Sequence, residues 1–171
     1  MIGVSLPLDW LITGEGLPES VDNVLSALKT YGVRNIELRT VRAYHSASDV
    51  RRVAERLWDD GFHISLHGDV KTADCAVTEL FTPIKELLAN LRQNTINITV
   101  HPINDDNVKM LTAVVDYIEQ SGVPVTVALE NNRLLPDKTE GDSAALVLDI
   151  VTKVDRPQLG ICWDMGHYMY W

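Results

Sequence analysis

Six side chains in this sequence combine the chemistry of divalent-cation ligands with regular spacing. They are Glu37 in NIELRT, His67 in SLHGD, His101 in TVHP, Glu130 in LENN, and Asp164 with His167 in WDMGHY. Each follows or closes a short apolar run. Imidazole nitrogen and carboxylate oxygen are the ligands taken by Zn²⁺, Mn²⁺ or Co²⁺, and carboxylates also suit Mg²⁺. Taken singly, each has a plainer reading. A histidine such as His67 or His101 at a strand end is commonly a hydrogen-bonded structural residue. Asp164 is placed to cap a following helix. Glu130 ends the run VTVAL, where an unpaired carboxylate would be costly to desolvate, so a metal or a cationic partner is expected there. Five such residues at successive strand ends are harder to explain as separate accidents.

The elements that must position them alternate. Apolar runs Ile2–Leu6, Val33–Leu38, Phe62–Leu66, Ile96–Val100, Val123–Leu129 and Leu159–Trp163 are separated by amphipathic segments, with a period of roughly 30 residues. The first helix carries Val21, Val24, Leu25 and Leu28, with Pro18 in its first turn and Gly32 at its stop. The second opens near Ser46 or Ser48 and presents Val50, Val53, Ala54, Leu57 and Trp58 before Gly61. The third spans roughly Val77–Leu91, and Pro83 within it predicts a start or a kink. The fourth opens at Asn104 or Asp105, carries Val108, Leu111, Val114, Val115 and Ile118, and stops at Gly122. A fifth covers about Asp142–Lys153.

Strand–helix alternation predicts a parallel sheet with helices packed on it, and runs such as NITV and VTVAL read as strands apolar throughout. Alternation alone leaves an open doubly wound sheet and a barrel equally available. The strand-end residues favour the barrel. In a flat sheet they would spread along a line, whereas curvature brings them round one mouth, where functional groups of parallel α/β folds collect.

Composition narrows the function. Lys+Arg 15 against Asp+Glu 24 gives a net charge of −9. That disfavours a nucleic-acid partner and suits a neutral sugar better than a polyphosphate. No signal peptide and no membrane-length apolar run is present, so a cytoplasmic protein is expected. Cys75 and Cys162 form no CxxC and read as reduced, buried thiols. There is no P-loop, GxGxxG or GxSxG. His45 and His63 fall in a loop and at a strand start and read as structural or solvated. Trp10, Tyr44, Tyr168 and Trp171 read as pocket-lining or packing residues. Asp59-Asp60 and Asp105-Asp106 read as helix-end or surface charges.

The series LHGD, VHP, LENN and CWDMGH on successive strands resembles the xylose isomerase-like TIM barrel superfamily, which includes sugar isomerases and epimerases and endonuclease IV. The likeness runs through essentially the whole chain. It implies one α/β domain over residues 1–171, a partial TIM-type barrel of about six parallel strands with outer helices, strands seven and eight missing. By that resemblance Glu130 and Asp164 are ligands of the catalytic divalent metal, and Glu130 is also the candidate base. His167 touches substrate in the epimerases and a third zinc in the endonuclease. His67 and His101 are zinc ligands in the endonuclease branch and often pocket residues in the sugar branch, and Glu37 lies near the sugar site. The function implied is a metal-dependent isomerase or epimerase acting on a small sugar-like substrate, inactive or weak without the last two strands. An endonuclease IV-like zinc phosphodiesterase and a non-catalytic assembly subunit are the alternatives. An incomplete arc would leave an open edge, so a homo-oligomer or a partner chain covering it is expected.

Overall fold

The structure, a computed structural model, describes residues 3–16, 19–132 and 144–168. Six strands are present: β1 (Gly3–Pro7), β2 (Asn35–Val41), β3 (His63–Gly68), β4 (Ile96–Val100), β5 (Val125–Glu130) and β6 (Leu159–Cys162). They form one all-parallel sheet in the order β1-β2-β3-β4-β5-β6. Between and beside them lie α1 (Leu8–Thr13), α2 (Val21–Thr30), α3 (Ala47–Asp59), α4 (Ala76–Phe81), α5 (Lys85–Ala89), α6 (Asn107–Ser121), α7 (Ala144–Val154) and α8 (Met165–Tyr168).

The strand order carries structural information. Parallel crossovers are right-handed almost without exception, so a sheet that never reverses its order puts its crossover helices on one face. The helices accordingly pack on one another in sequence, α1 on α3, α3 on α5, α4 on α6 and α6 on α7. A doubly wound sheet needs a reversal to cover its second face. The described residues contain none, and the arrangement is consistent with an arc of a barrel.

Side-chain alternation assigns the two faces. Ile36, Leu38, Ile64, Leu66, Ile96, Ile98, Val100, Val125, Val127 and Leu129 point to the helices and form one buried cluster with Val50, Leu57, Leu80, Leu111, Val115 and Ile150. The intervening positions carry Ser5, Glu37, Ser65, His67, Asn97, Thr99, Thr126, Glu130 and Cys162, many of them directly opposite one another in register. Ser5 Oγ donates to Glu37 Oε1 at 2.7 Å, and Thr126 Oγ1 donates to Asn97 Oδ1 at 3.2 Å. The expectation that NITV and VTVAL are apolar throughout is therefore corrected. Asn97, Thr99 and Thr126 face the side without helices, where hydroxyls and amides satisfy one another across strands.

Several helix limits differ from expectation for identifiable reasons. The segment around Pro83 is two helices, α4 and α5, because proline lacks the N–H and its ring crowds the preceding turn. A 3₁₀ turn, Ala73–Cys75, precedes α4. α6 is capped by Asp106, whose carboxylate accepts from Lys109 N at 2.9 Å, rather than by Asn104 or Asp105, and it ends on Gly122 at φ 65°. Ser20 caps α2, and Ser46 precedes α3. The α1 turn directly after β1 was not anticipated. Pro18 and the start of the expected helix at Asp142 lie outside the described residues. Cys75 is exposed and Cys162 half-buried, which corrects the reading of two buried thiols. Burial raises the Cys162 thiol to about 11, with the nearby carboxylates adding to the shift. Among the described residues no helix is long and apolar enough to cross a membrane.

Candidate metal centre

Four strand ends deliver His67, His101, Glu130, Asp164 and His167 to one place. The ligand atoms of His67, His101 and Glu130 all lie within 4.8 Å of one another, as do those of Glu130, Asp164 and His167. Glu130 belongs to both groups. All five line a cavity of about 450 Å³ at the C-terminal edge of the sheet, together with Glu37. Strands lie about 4.8 Å apart, so β3 and β5 would be about 10 Å apart across a flat β4. His67 Nε2 nevertheless meets Glu130 Oε2 at 2.9 Å, and His101 Nε2 lies 3.4 Å from the same oxygen. The side chains converge above β4 instead of standing in a row.

The protons at this cluster follow from its partners. His67 donates from Nε2 to Glu130 and from Nδ1 to the Gly68 carbonyl at 3.3 Å. Burial opposes a charge on this ring, but the Glu130 hydrogen bond, the charges of Glu37 and Glu130 and the Gly68 carbonyl outweigh it, and its pKa is raised. The opposite holds for His101. Burial, reinforced by the neighbouring His67 and His167, lowers it to about 4, so the ring is neutral. Its buried Nδ1 finds no hydrogen-bond partner among the described residues. Glu130 itself is only 7% exposed.

The second group is built differently. Asn131, 1% exposed, grips the backbone beyond β6 at two points: its Nδ2 donates to Asp164 O at 2.9 Å and its Oδ1 accepts from Asp164 N at 2.6 Å. The Asn131 carbonyl also accepts from His167 Nδ1 at 2.8 Å. That bond fixes the ring tautomer, leaving His167 Nε2 bare and 3.6 Å from Asp164 Oδ2. Asp164 Oδ1 accepts from Gly166 N at 2.6 Å and His167 N at 3.2 Å, so Asp164 caps α8 and keeps Oδ2 for the cavity. The capping reading of Asp164 is met by Oδ1, and Oδ2 remains facing the second group of possible ligands. Asn131 was not singled out as a functional residue, although it stands in the LENN element.

The donor set suits a divalent cation. It offers a buried carboxylate, a neutral imidazole with an unpaired nitrogen, and a second imidazole whose lone pair is oriented by a backbone carbonyl. In the ion's absence, the proton on His67 supplies the positive charge against Glu130. These buried histidine and glutamate groups could hold a metal, and nothing in them selects which.

The other candidates separate cleanly. Glu37 is the third residue of β2 rather than its end, and it lines the cavity outside both ligand groups. His45 is buried after β2, where its Nδ1 accepts from Arg42 N at 2.9 Å and its Nε2 donates to Asp9 Oδ1 at 2.9 Å, a structural bond as expected. His63 is exposed at the start of β3, the opposite edge. No tryptophan or tyrosine among the described residues lines the cavity. Tyr44 is exposed on the surface, and Trp171 lies outside the described residues. Asp106 caps α6, while Asp59 pairs with Arg92 and Asp60 with Lys29.

No protein-family model matches the chain, and no curated protein matches its sequence.

Proposed function

We propose that the chain forms an arc of a TIM-type barrel and acts as a divalent-metal-dependent isomerase or epimerase on a small, polyhydroxylated substrate. The observation that carries this reading is the sharing of Glu130 by two groups of imidazole and carboxylate ligands at the C-terminal strand ends. Parallel α/β folds collect their chemistry at that edge.

Glu130 and Asp164, with His67 and His101, would hold the cation, Mn²⁺, Zn²⁺, Co²⁺ or Mg²⁺. When bound, it would polarise adjacent hydroxyl and carbonyl oxygens and stabilise the negative charge that develops on proton removal. The chain's own residues set up the proton transfers. His167, with Nδ1–H tied to the Asn131 carbonyl, presents Nε2 to accept a hydroxyl proton. Glu130 is the candidate base beside the substrate carbon, and the donation from His67 Nε2 aims its carboxylate until the cation takes that nitrogen. Glu37, fixed by Ser5, is a hydrogen-bond acceptor for a substrate hydroxyl on the far wall.

The margin at β6 supports the expected partner. Ile161 and Met165 are exposed there, at 42% and 66%, beside an edge strand. We read this margin as a covered seam, filled by a second copy, by another chain or by further residues of the same protein.

Metal content of the purified protein, followed by turnover of ketoses and inososes with and without chelator, tests the proposal. Stoichiometric metal and chelator-sensitive epimerisation are expected. A metal-free protein that takes up no Mn²⁺, Zn²⁺ or Co²⁺ would sink it. The second reading, a zinc phosphodiesterase, draws on His67 and His101 both facing the shared carboxylate. The net charge of −9 opposes it, and cleavage of an abasic duplex distinguishes the two.

A further inference from the structure

Beyond the ligand groups, the cavity wall contributed by β2 has an irregular backbone. The ladder pairs Leu38 with Leu66 and then Val41 with Gly68, so Arg39 and Thr40 together stand opposite the single residue His67. This is a β-bulge, a device that re-aims side chains beside functional sites. Leu38 and Val41 both belong to the apolar cluster on the helix side, while Arg39 and Thr40 both line the cavity. Thr40 has φ 64°, a left-handed conformation that a β-branched residue adopts only when its surroundings impose it.

The cavity is of mixed charge, with Arg39, Arg42 and Lys71 beside Glu37 and Asp69 on this side of it. Arg42 and Lys71 both engage Asp69, at 3.0 and 2.6 Å. Arg39 has no carboxylate partner among the described residues, and it is the cation that the bulge sets opposite His67. A guanidinium held on a strand beside a hydroxyl, with its donor fork unused, matches the oxygens of a carboxylate or a phosphate ester.

We propose that the Arg39–Thr40 bulge is the seat for an oxyanion group of the substrate, so that the small polyhydroxylated molecule bound at this cavity is an acid or a phosphate ester rather than a neutral sugar. The proposal rests on the functional reading above for the rest of the substrate. It narrows the expectation drawn from net charge, because a guanidinium without a carboxylate partner acts on a ligand at contact distance, whatever the net charge of the chain.

The test uses metal-free protein, ¹⁵N-labelled, at pH 8, titrated with glycerate, glycerol 3-phosphate and uncharged glycerol. At least one of the two anions is expected to bind about tenfold or more tightly than glycerol, with chemical-shift changes centred on residues 37–42 and 67–71. The tighter anion identifies the group as carboxylate or phosphate. Arg39→Met should abolish the preference, and Arg39→Lys, which keeps the charge but not the fork, should retain part of it. Zn²⁺ and Mn²⁺ binding, measured separately, should be unchanged in Arg39→Met within about twofold. Equal binding of anions and glycerol, or a preference that survives Arg39→Met, overturns the seat even where metal binds. An Arg39-dependent oxyanion preference in a protein that binds no metal upholds the seat and refutes the metal reading instead.

Discussion

The two ligand groups that meet at Glu130 are held by different kinds of structure. His67, His101 and Glu130 are carried on or directly after three adjacent strands, and their approach follows from the β3–β4–β5 register, in which His67 pairs with Thr99 and Val100 with Leu129. Behind His101, the buried Asn107 side chain accepts from Ile103 N at 2.8 Å and donates to Ile103 O at 3.0 Å, which locks the loop leaving β4. Asp164 and His167 instead sit past the short strand β6, one capping a four-residue helix and the other within it, tied to the end of β5 by the Asn131 side chain and carbonyl. The first group inherits the rigidity of a sheet. The second reaches the sheet through Asn131.

Glu130→Ala should have the largest effect, because it removes the residue common to both groups. Metal affinity, read by equilibrium dialysis, should fall by more than about 100-fold. The loss of a buried pair should cost about 3 kcal/mol in urea unfolding. The His67 imidazole, no longer hydrogen-bonded to a carboxylate, should titrate lower than in the wild type by NMR. An unchanged His67 titration would mean that the 2.9 Å contact does not govern that ring.

Asn131→Ala should separate the halves. It strips both hydrogen bonds from the Asp164 backbone while leaving β3, β4 and β5 paired. Hydrogen exchange should accelerate over residues 163–168 and stay slow at residues 64–67 and 97–100. Metal affinity should drop about 10- to 100-fold, as is usual when a residue orienting a ligand is lost. Uniform acceleration across the sheet would show that the asymmetry between the groups is not real.

The sequence displays the first group more openly than the second. Glu130, His67 and His101 are polar residues at the ends of apolar runs, and a period of roughly 30 residues makes them countable. β4 was readable to the residue because Ile96–Val100 is bounded by polar segments on both sides. Asn131 was not, since nothing local tells an amide gripping a distant backbone from one in a solvated turn. Asp164 and His167 were found, but not the clamp that holds them. The bulge at Arg39–Thr40 was hidden for a related reason. A two-against-one register belongs to a pair of strands, and NIELRT reads as ordinary alternation. α1 escaped because LDWLIT follows β1 directly, with only the strand's last residue, Pro7, to mark the change of period.

A smaller, pH-dependent effect isolates the strand-borne histidines in metal-free protein. His67 is raised, so its stabilisation is complete below about pH 6.5, the ordinary histidine value, and is lost as pH rises through its folded value. His101 is lowered to about 4, so between about pH 6.5 and 4 the unfolded chain binds more protons there and stability falls as pH falls. Urea-unfolding stability should therefore peak near pH 6.5 with respect to these two rings. His101→Gln should flatten the acid limb and leave the alkaline limb in place. If both limbs survive the substitution, the pH dependence arises elsewhere in the molecule.

Thr40→Gly should have the smallest effect, and it asks whether the strand-borne group depends on the strained wall opposite it. Glycine accepts φ 64° without the clash a β-branched side chain meets, so relief of strain opposes the added freedom of the unfolded chain. A net gain of about 1 kcal/mol is expected. Because His67 is positioned by its pairing with Thr99 on β4, relaxing β2 should leave metal affinity within about twofold of the wild type. A stability gain accompanied by a large loss of metal affinity would instead show that the bulge presses His67 toward Glu130. The ligand geometry would then be maintained by strain as well as by register.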